Sequence, residues 1–181
     1  SLNTQAARYG LALAYLKNGD LNRAKQQMSQ LLNVNPNHLT FLYSDIEIDI
    51  AAKNYDLAIA RLNNLLELNQ NNYPLLVLKS DALWQQHRYD SADDVLTLLS
   101  RMRPQDPMIW YRLAEVRGLA GNISGLHQAR AEYFMLIGVF DKAREQLGLA
   151  ESLATGDFKQ SSIIRQRLRD LAEMQEKAEK L

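Results

Sequence analysis

One phrase of sequence returns along this chain at a fixed interval of 34 residues. It reads GDLNRAKQQMSQLLNVNP at 19–36, KNYDLAIARLNNLLELNQ at 53–70 and HRYDSADDVLTLLSRMRP at 87–104. Four apolar columns keep this spacing: Leu21/Tyr55/Tyr89, Ala24/Ala58/Ala92, Met28/Leu62/Leu96 and Leu31/Leu65/Leu99. A period in the thirties predicts an array of helix pairs, because one pair cannot bury its apolar face alone.

Each phrase has the pattern of one amphipathic helix, since its apolar columns lie three and four residues apart. The sequence NGD at 18–20 predicts a turn before the first phrase. Pro36 and Pro104 close the first and third phrases, because a proline disfavours helix in the residue before it. The small alanines of the second column are expected where two helices come close.

Composition excludes several classes of function. The chain is 46% apolar and 23% charged, as in an ordinary globular protein, and its 21 basic residues balance 21 acidic ones. The basic residues are scattered, so no nucleic-acid partner is expected. The longest apolar run, YFMLIGVF at 133–140, is far shorter than the ~20 residues of a membrane span. Without cysteine there is no disulfide, thiolate or Cys-ligated zinc, and composition leaves the compartment open.

The 34-residue pattern resembles the tetratricopeptide repeat (TPR), a helix–turn–helix unit with small residues near its eighth and twentieth positions and proline near its thirty-second. The resemblance implies an all-α, TPR-like α-solenoid of about nine to ten antiparallel helices. Repeats are expected near 5–38, 39–72, 73–106 and 107–137. The eighth position is filled by Ala12, Ser80 and Ala114, while the second repeat departs from the pattern with Ile46 there and Gln70 in place of proline.

The rhythm changes in the fourth unit, where Leu126 replaces the expected alanine. A further match to the phrase, GVFDKAREQLGLAESLAT at 138–155, places Ala143 one and a half periods after Ala92. We therefore expect the helix near 123–137 to belong to two pairs, the second being a half-offset unit at 123–155. The array would then occupy 1–155, and residues 156–181 would form a C-terminal capping helix.

The stretches RAEYFMLIGVFDKAREQLGLAE at 130–151 and GDFKQSSIIRQRLRDLAEM at 156–174 resemble the end of the periplasmic M48-type zinc metalloproteases that assist outer-membrane β-barrel assembly. In that family a protease domain with an HExxH zinc helix precedes the TPR array. The resemblance implies a periplasmic location, with zinc bound only upstream. It also implies binding to the assembly complex, to unfolded outer-membrane proteins and, in cis, to the protease domain. Because the chain starts at Ser1 with SLNTQ, we expect a fragment of a longer protein.

No catalytic or metal site is expected within the chain itself. His38, His87 and His127 are never four residues apart, so they cannot form a helical zinc pair. The acidic run SDIEIDI at 44–50 lacks a calcium-binding loop, and we expect solvated acids there. Three aromatic residues lie on the apolar stripes of predicted helices and are expected in the core: Tyr55, Tyr89 and Trp110.

The first helices of such repeats line a concave surface in the family that the pattern resembles. Their fifth positions here hold Tyr9, Tyr43, Val77 and Tyr111, and their ninth positions hold Leu13, Glu47, Asp81 and Glu115. An aromatic column beside an acidic one suits an apolar or basic partner segment. The predicted partner-binding residues are Tyr9, Tyr43, Glu47, Asp81, Trp84, Tyr111 and Glu115. The alternative, that these are only solvated helix faces, remains open.

Three functions are compatible with the sequence to different degrees. The first is a non-catalytic interaction module of a periplasmic metalloprotease. The second is a free-standing TPR scaffold or co-chaperone, which a gene without an upstream HExxH would favour. The third, that the chain itself is an enzyme, would need a deep pocket around Glu47, Asp81 and His87.

Overall fold

The computed structural model describes residues 2–180, with side chains from residue 4 onward, and within this range every regular element is an α-helix. The ten helices are α1 (Leu2–Lys17), α2 (Leu21–Val34), α3 (Leu39–Ala51), α4 (Tyr55–Leu68), α5 (Tyr73–Gln85), α6 (Tyr89–Met102), α7 (Pro107–Leu119), α8 (Ile123–Leu136), α9 (Phe140–Leu153) and α10 (Phe158–Glu179). The all-α class and the number of helices are therefore confirmed for this range. None of these helices combines the length and apolarity that crossing a membrane requires.

The links between helices come in two lengths, three residues and four residues. Four-residue links follow α2, α4, α6 and α9, and the first and third contain the exposed Pro36 and Pro104. Side chains cap several of the helices that follow a link. Asp20 accepts from the Arg23 amide and Asn122 from the Gly125 amide, so each satisfies one of the unpaired N–H groups of a first turn.

The three-residue links share a left-handed residue that follows the 34-residue period. Gly19 (φ 79°), Lys53 (φ 62°), His87 (φ 59°) and Gly121 (φ 80°) occupy equivalent positions, and Gly138 (φ 76°) follows half a period later. Glycine adopts this conformation without steric cost, whereas a side chain costs about 1–2 kcal/mol. Lys53 and His87, the two non-glycine residues among them, therefore carry backbone strain.

The chain divides into two compact units, of which the first ends at Gln86 and contains α1 to α5. Each helix of this unit packs on the next, and α3 also contacts α1 and α5. Ala24 and Ala58, from the periodic alanine column, have no exposed surface. Ile46, which stands at the normally small eighth position, is also fully buried. One core cluster in this unit is formed by Ala12, Ala24, Met28, Leu31, Phe41 and Ile48.

The second unit begins at His87 and contains α6 to α10, again with each helix packed on the next. Ala92 and Ala143 are fully buried in it. A core cluster joins α8, α9 and α10 through Ala131, Met135, Ala143, Leu147, Ile164 and Leu171, among others. The apolar side of α10 thus packs on α9 in this cluster, while most of the helix beyond Met174 is exposed.

Helix α8 explains the change of rhythm in the fourth repeat. It is flanked on both sides by three-residue links with a left-handed glycine, the kind that joins the two helices of a repeat. Leu126 fits at the alanine position because Gly118 faces it from α7. A Cβ atom on Gly118 would lie 2.6 Å from Leu126 Cδ1. The small residue at this helix contact is therefore Gly118 of α7, where the other repeats have an alanine on the second helix.

Candidate protein-binding surface

Four of the predicted partner-binding residues lie on consecutive first helices of the first unit: Tyr9 on α1, Tyr43 and Glu47 on α3, and Asp81 on α5. We call them the acidic–aromatic surface. All four side chains are half-buried, as expected for groups that project from a helix face between neighbouring helices. The sequence placed them one repeat apart, and the packing of α3 against both α1 and α5 brings them onto one side of this unit.

Tyr9 is fixed in position by two contacts with α3. Its hydroxyl and the Ser44 Oγ atom are hydrogen-bonded at 2.9 Å, and its ring lies 5.4 Å from the Phe41 ring. Ser44 is itself buried and also hydrogen-bonds to Glu47. A buried serine thus links the aromatic and the acidic members of the surface.

The electrostatics of the surface favour a cationic or hydrogen-bond-donating ligand. Burial raises the pKa of Tyr43, and the negative charges of Glu47 and Asp81 raise it further, with a smaller effect from Tyr9. Burial also raises the pKa of Glu47, although the hydrogen bond from Ser44 works in the opposite direction. Two carboxylates therefore act on one half-buried phenol, and both would attract a positive group placed near its hydroxyl.

Of the other three predicted binding residues, Trp84 belongs to the first unit and Tyr111 and Glu115 to the second. Trp84, near the end of α5, exposes 40% of its surface. Tyr111 and Glu115 are exposed residues of α7 in the second unit, where the Tyr111 ring packs edge-on against Tyr133 at 5.6 Å. The structure therefore brings together the Tyr9, Tyr43, Glu47 and Asp81 side chains and describes Tyr111 and Glu115 in a separate unit.

The aromatic residues expected in the core lie at its edge instead. Tyr55, Tyr89 and Trp110 are all half-buried, and each uses its polar atom. The Tyr55 hydroxyl donates to Gln85 Oε1 at 3.2 Å, and Trp110 Nε1 donates to the Pro104 carbonyl at 2.9 Å. Their amphipathic rings suit an edge position, where one end is apolar and the other can be hydrogen-bonded.

The prediction of solvated acids at 44–50 is wrong for two of the three carboxylates. Asp45 and Asp49 are only 4% and 3% exposed. Lys25 Nζ lies 2.9 Å from Asp45 and 2.7 Å from Asp49, and Arg61 Nη1 lies 2.7 Å and 2.5 Å from the same two groups. Acids two residues apart do point away from each other on a helix, but these two are four apart and share a face. That spacing was the signal that the sequence offered.

The histidines take part in local packing. His38 stacks on Phe41 with ring centroids 3.9 Å apart, and His127 Nδ1 lies 2.8 Å from Gln146 Oε1. His87 occupies a left-handed turn position and its Nδ1 lies 2.6 Å from the Tyr89 hydroxyl. Within residues 2–180, no group of three or more histidine or acidic side chains has an arrangement that could hold a metal ion.

These features define successive helix hairpins, whose small and apolar side chains pack in the core and whose remaining side chains lie at the surface. Two family models, both described as tetratricopeptide repeat, match residues 6–38 and 49–116, which together make up more than half of the chain. The chain belongs to the tetratricopeptide-repeat family, whose fold is a non-catalytic protein-interaction fold.

Among known proteins, the chain is similar to the beta-barrel assembly-enhancing proteases. It is 28% identical over 174 residues to that of Escherichia coli (strain K12), which covers 96% of this chain and 35% of the relative. It is 31% identical over 141 residues to that of Yersinia pestis, which covers 76% of this chain and 28% of the relative. The chain thus spans about a third of the length of these relatives.

Solved structures share the fold at low sequence identity. MamA 41-end from Desulfovibrio magneticus RS-1 superposes with a TM-score of 0.66 at 16% identity, covering 96% of both chains. A thermophilic TPR protein of Thermus thermophilus superposes with a TM-score of 0.57 at 17% identity, covering 91% of this chain and 98% of its own. These similarities support the TPR-like α-solenoid.

Proposed function

We propose that this chain is the C-terminal TPR module of a periplasmic zinc metalloprotease that assists outer-membrane β-barrel assembly. The observation that carries the proposal is the similarity to the beta-barrel assembly-enhancing proteases over 96% of the chain. In this proposal the module contributes binding and the catalytic zinc belongs to a different part of the parent protein. The partners are the outer-membrane assembly complex, unfolded outer-membrane proteins and the protease domain in cis.

The acidic–aromatic surface is the binding site that we propose for the partner. Glu47 and Asp81 supply negative charge, and Tyr43 supplies a large, half-buried ring whose hydroxyl lies within the electrostatic reach of both carboxylates. A partner segment with basic and apolar residues would pair with the carboxylates and pack on the ring. Aromatic side chains in such positions are frequent anchors of protein interfaces.

Charge reversal tests this proposal. The Glu47→Lys/Asp81→Lys double variant, Tyr43→Ala and the wild type are immobilised and compared for retention of the purified assembly complex and of a urea-unfolded outer-membrane β-barrel protein, at low and high salt. Glu67→Lys is the matched control, because Glu67 is an exposed residue of α4 outside the surface. Circular dichroism and the melting temperature report whether each variant folds.

The double variant should weaken retention, most strongly at low salt, because ions screen the attraction between charges that solvent can reach. Tyr43→Ala should weaken binding by about 1–2 kcal/mol if its ring is an interface anchor. Glu67→Lys should bind as the wild type does. Equal retention by all folded variants at low salt would exclude this surface as the site.

A further inference from the structure

The second unit contains a cleft that the TPR pattern does not predict. It has a volume of about 370 Å³ and lies where α7 and α10 face each other across α8. Its lining includes Ala129, Leu147 and Ile164, which are between 0% and 1% exposed and supply an apolar floor. Trp110 and Ile163 form apolar walls, and Ile163 exposes 49% of its surface. The volume lies at the lower end of the range of about 300–1,000 Å³ that is typical of ligand pockets.

The charged groups around the cleft already neutralise one another. Arg167 donates from Nε and Nη2 to the two carboxylate oxygens of Glu132, at 2.6 Å and 2.7 Å, and from Nη1 to Asp170 at 3.2 Å. Arg117 Nε donates to Asp93 at 3.2 Å. A charged ligand would lose hydration on entering and would find no unpaired counter-ion among these groups. The charge pattern of the rim therefore complements an uncharged ligand.

Amide side chains supply the remaining polar atoms of the rim. Gln128 and Gln166 line the cleft, and Gln128 also lines an adjoining cleft of about 350 Å³ that continues toward Ser124 and Gln160. The contacts of Gln128 Nε2 to Ser124 Oγ at 3.3 Å and to Gln160 Oε1 at 3.5 Å are long. A primary amide offers both a donor and an acceptor, the pair of groups that a peptide backbone presents.

We propose that this cleft binds one large apolar side chain, aromatic or leucine, of an extended polypeptide segment without charged residues. The side chain enters between Trp110 and Ile163 and contacts the floor at Leu147. The Gln128 amide meets the backbone of the flanking residues, which continue into the adjoining cleft. The proposal is independent of the acidic–aromatic surface, because it concerns a different unit and a segment of different chemistry.

Nuclear magnetic resonance of the whole chain tests this site, because its only two tryptophans report on different places. Trp110 lines the cleft and Trp84 belongs to α5 in the first unit. The probe is a peptide of sequence Thr-Ser-Phe-Ser-Thr with blocked ends. Its controls carry Ala in place of Phe, or Lys or Glu in place of both Ser residues. The Trp110 indole signal should shift to saturation with the Phe peptide, while that of Trp84 stays in place.

The Ala peptide should bind about tenfold more weakly or worse, because it lacks the apolar group that the floor would bury. Each charged peptide should also bind more weakly than the Phe peptide. Equal binding of the Phe and Ala peptides, tighter binding of either charged peptide, or no shift of the Trp110 signal would overturn the proposal.

Two matched variants of α10 locate the site. Ile163→Glu places a charge in the wall and should weaken binding of the Phe peptide by about tenfold or more. Phe158→Glu introduces the same charge at an 87% exposed position outside the lining and should leave binding unchanged. Ile163→Ala, which keeps the wall uncharged, should give an intermediate affinity and serves if the Glu variant fails to fold. Wild-type affinity in folded Ile163→Glu or Ile163→Ala would show that the peptide binds elsewhere.

Discussion

Replacing Arg61 by methionine removes a cation from two buried carboxylates while keeping a long, unbranched side chain in the helix. Of the two described cations that contact Asp45 and Asp49, Lys25 would then remain, and its side chain is 39% exposed and therefore well hydrated. Hydrogen bonds to charged groups contribute about 1.5–3 kcal/mol each, and breaking a buried ion pair costs about 3–5 kcal/mol. Because Arg61 itself is 25% exposed, we expect a loss near the lower end, about 3 kcal/mol.

The control is a surface ion pair of the same length. Arg165 Nε lies 2.7 Å from Glu151 Oε1, but the two side chains are 63% and 34% exposed. Arg165→Met should therefore cost less than about 1 kcal/mol, since water and side-chain entropy offset most of the attraction between exposed charges. The comparison separates the effect of burial from that of distance.

Urea unfolding followed by circular dichroism measures both free energies of unfolding, with the slope of the transition as a check on cooperativity. A third variant, Asp45→Asn/Asp49→Asn/Arg61→Met, removes the buried charges together with Arg61. It should lose less stability than Arg61→Met alone, because no uncompensated carboxylate remains. A cost for Arg61→Met no larger than that for Arg165→Met would refute the view that these carboxylates depend on Arg61.

Three further predictions concern single positions. Ala58→Leu adds bulk at a fully buried helix contact and should cost about 1–3 kcal/mol of stability. Ala60→Leu adds the same bulk on the exposed face of the helix and should cost little. Equal melting temperatures of the two variants would contradict the packing described. Lys53→Gly removes the strain of a side chain in a left-handed backbone conformation and should stabilise the protein by up to about 1 kcal/mol. Gly121→Ala introduces that strain at the equivalent turn and should destabilise by about 1–2 kcal/mol. Urea titrations that give the opposite signs would exclude backbone strain as the cause. Because burial raises the pKa of Glu47, its contribution to stability is present below the unfolded value of about 4.3 and is lost as pH rises through the folded pKa. Glu47→Gln should therefore raise the melting temperature at neutral pH and not in acid, and an equal effect at both would argue against burial as the cause.

Much of the fold could be predicted from the sequence because its signals are local. The spacing of the apolar columns predicted the helices, and the alanine column predicted where helices come close. The departures from the repeat near Leu126 and Ala143 indicated the irregular helix between them. The left-handed turns at Lys53 and His87 could also have been found, since both align with Gly19 at the period of the repeat. Because equivalent positions of a repeat adopt the same backbone conformation, the period of the repeat predicts which residues occupy these turns.

The sequence period does not predict which charged and polar side chains pair with one another across helices. The spacing of Asp45 and Asp49 indicates a shared face, but nothing local to α3 indicates that Lys25 of α2 and Arg61 of α4 neutralise them. The four residues of the acidic–aromatic surface were predicted, yet the raised pKa of Glu47 depends on how deeply α3 is packed between its neighbours.

The sequence by itself determined the class of fold, the order of helices and the residues that line each helix face. Only the tertiary structure decided which charges are buried, which Gly makes room for Leu126, and that α7, α8 and α10 enclose a cleft. The physical reason is that periodicity is a property of one helix and its turns. Contacts between helices depend on their rotation and separation, which are set by the packing of many side chains together.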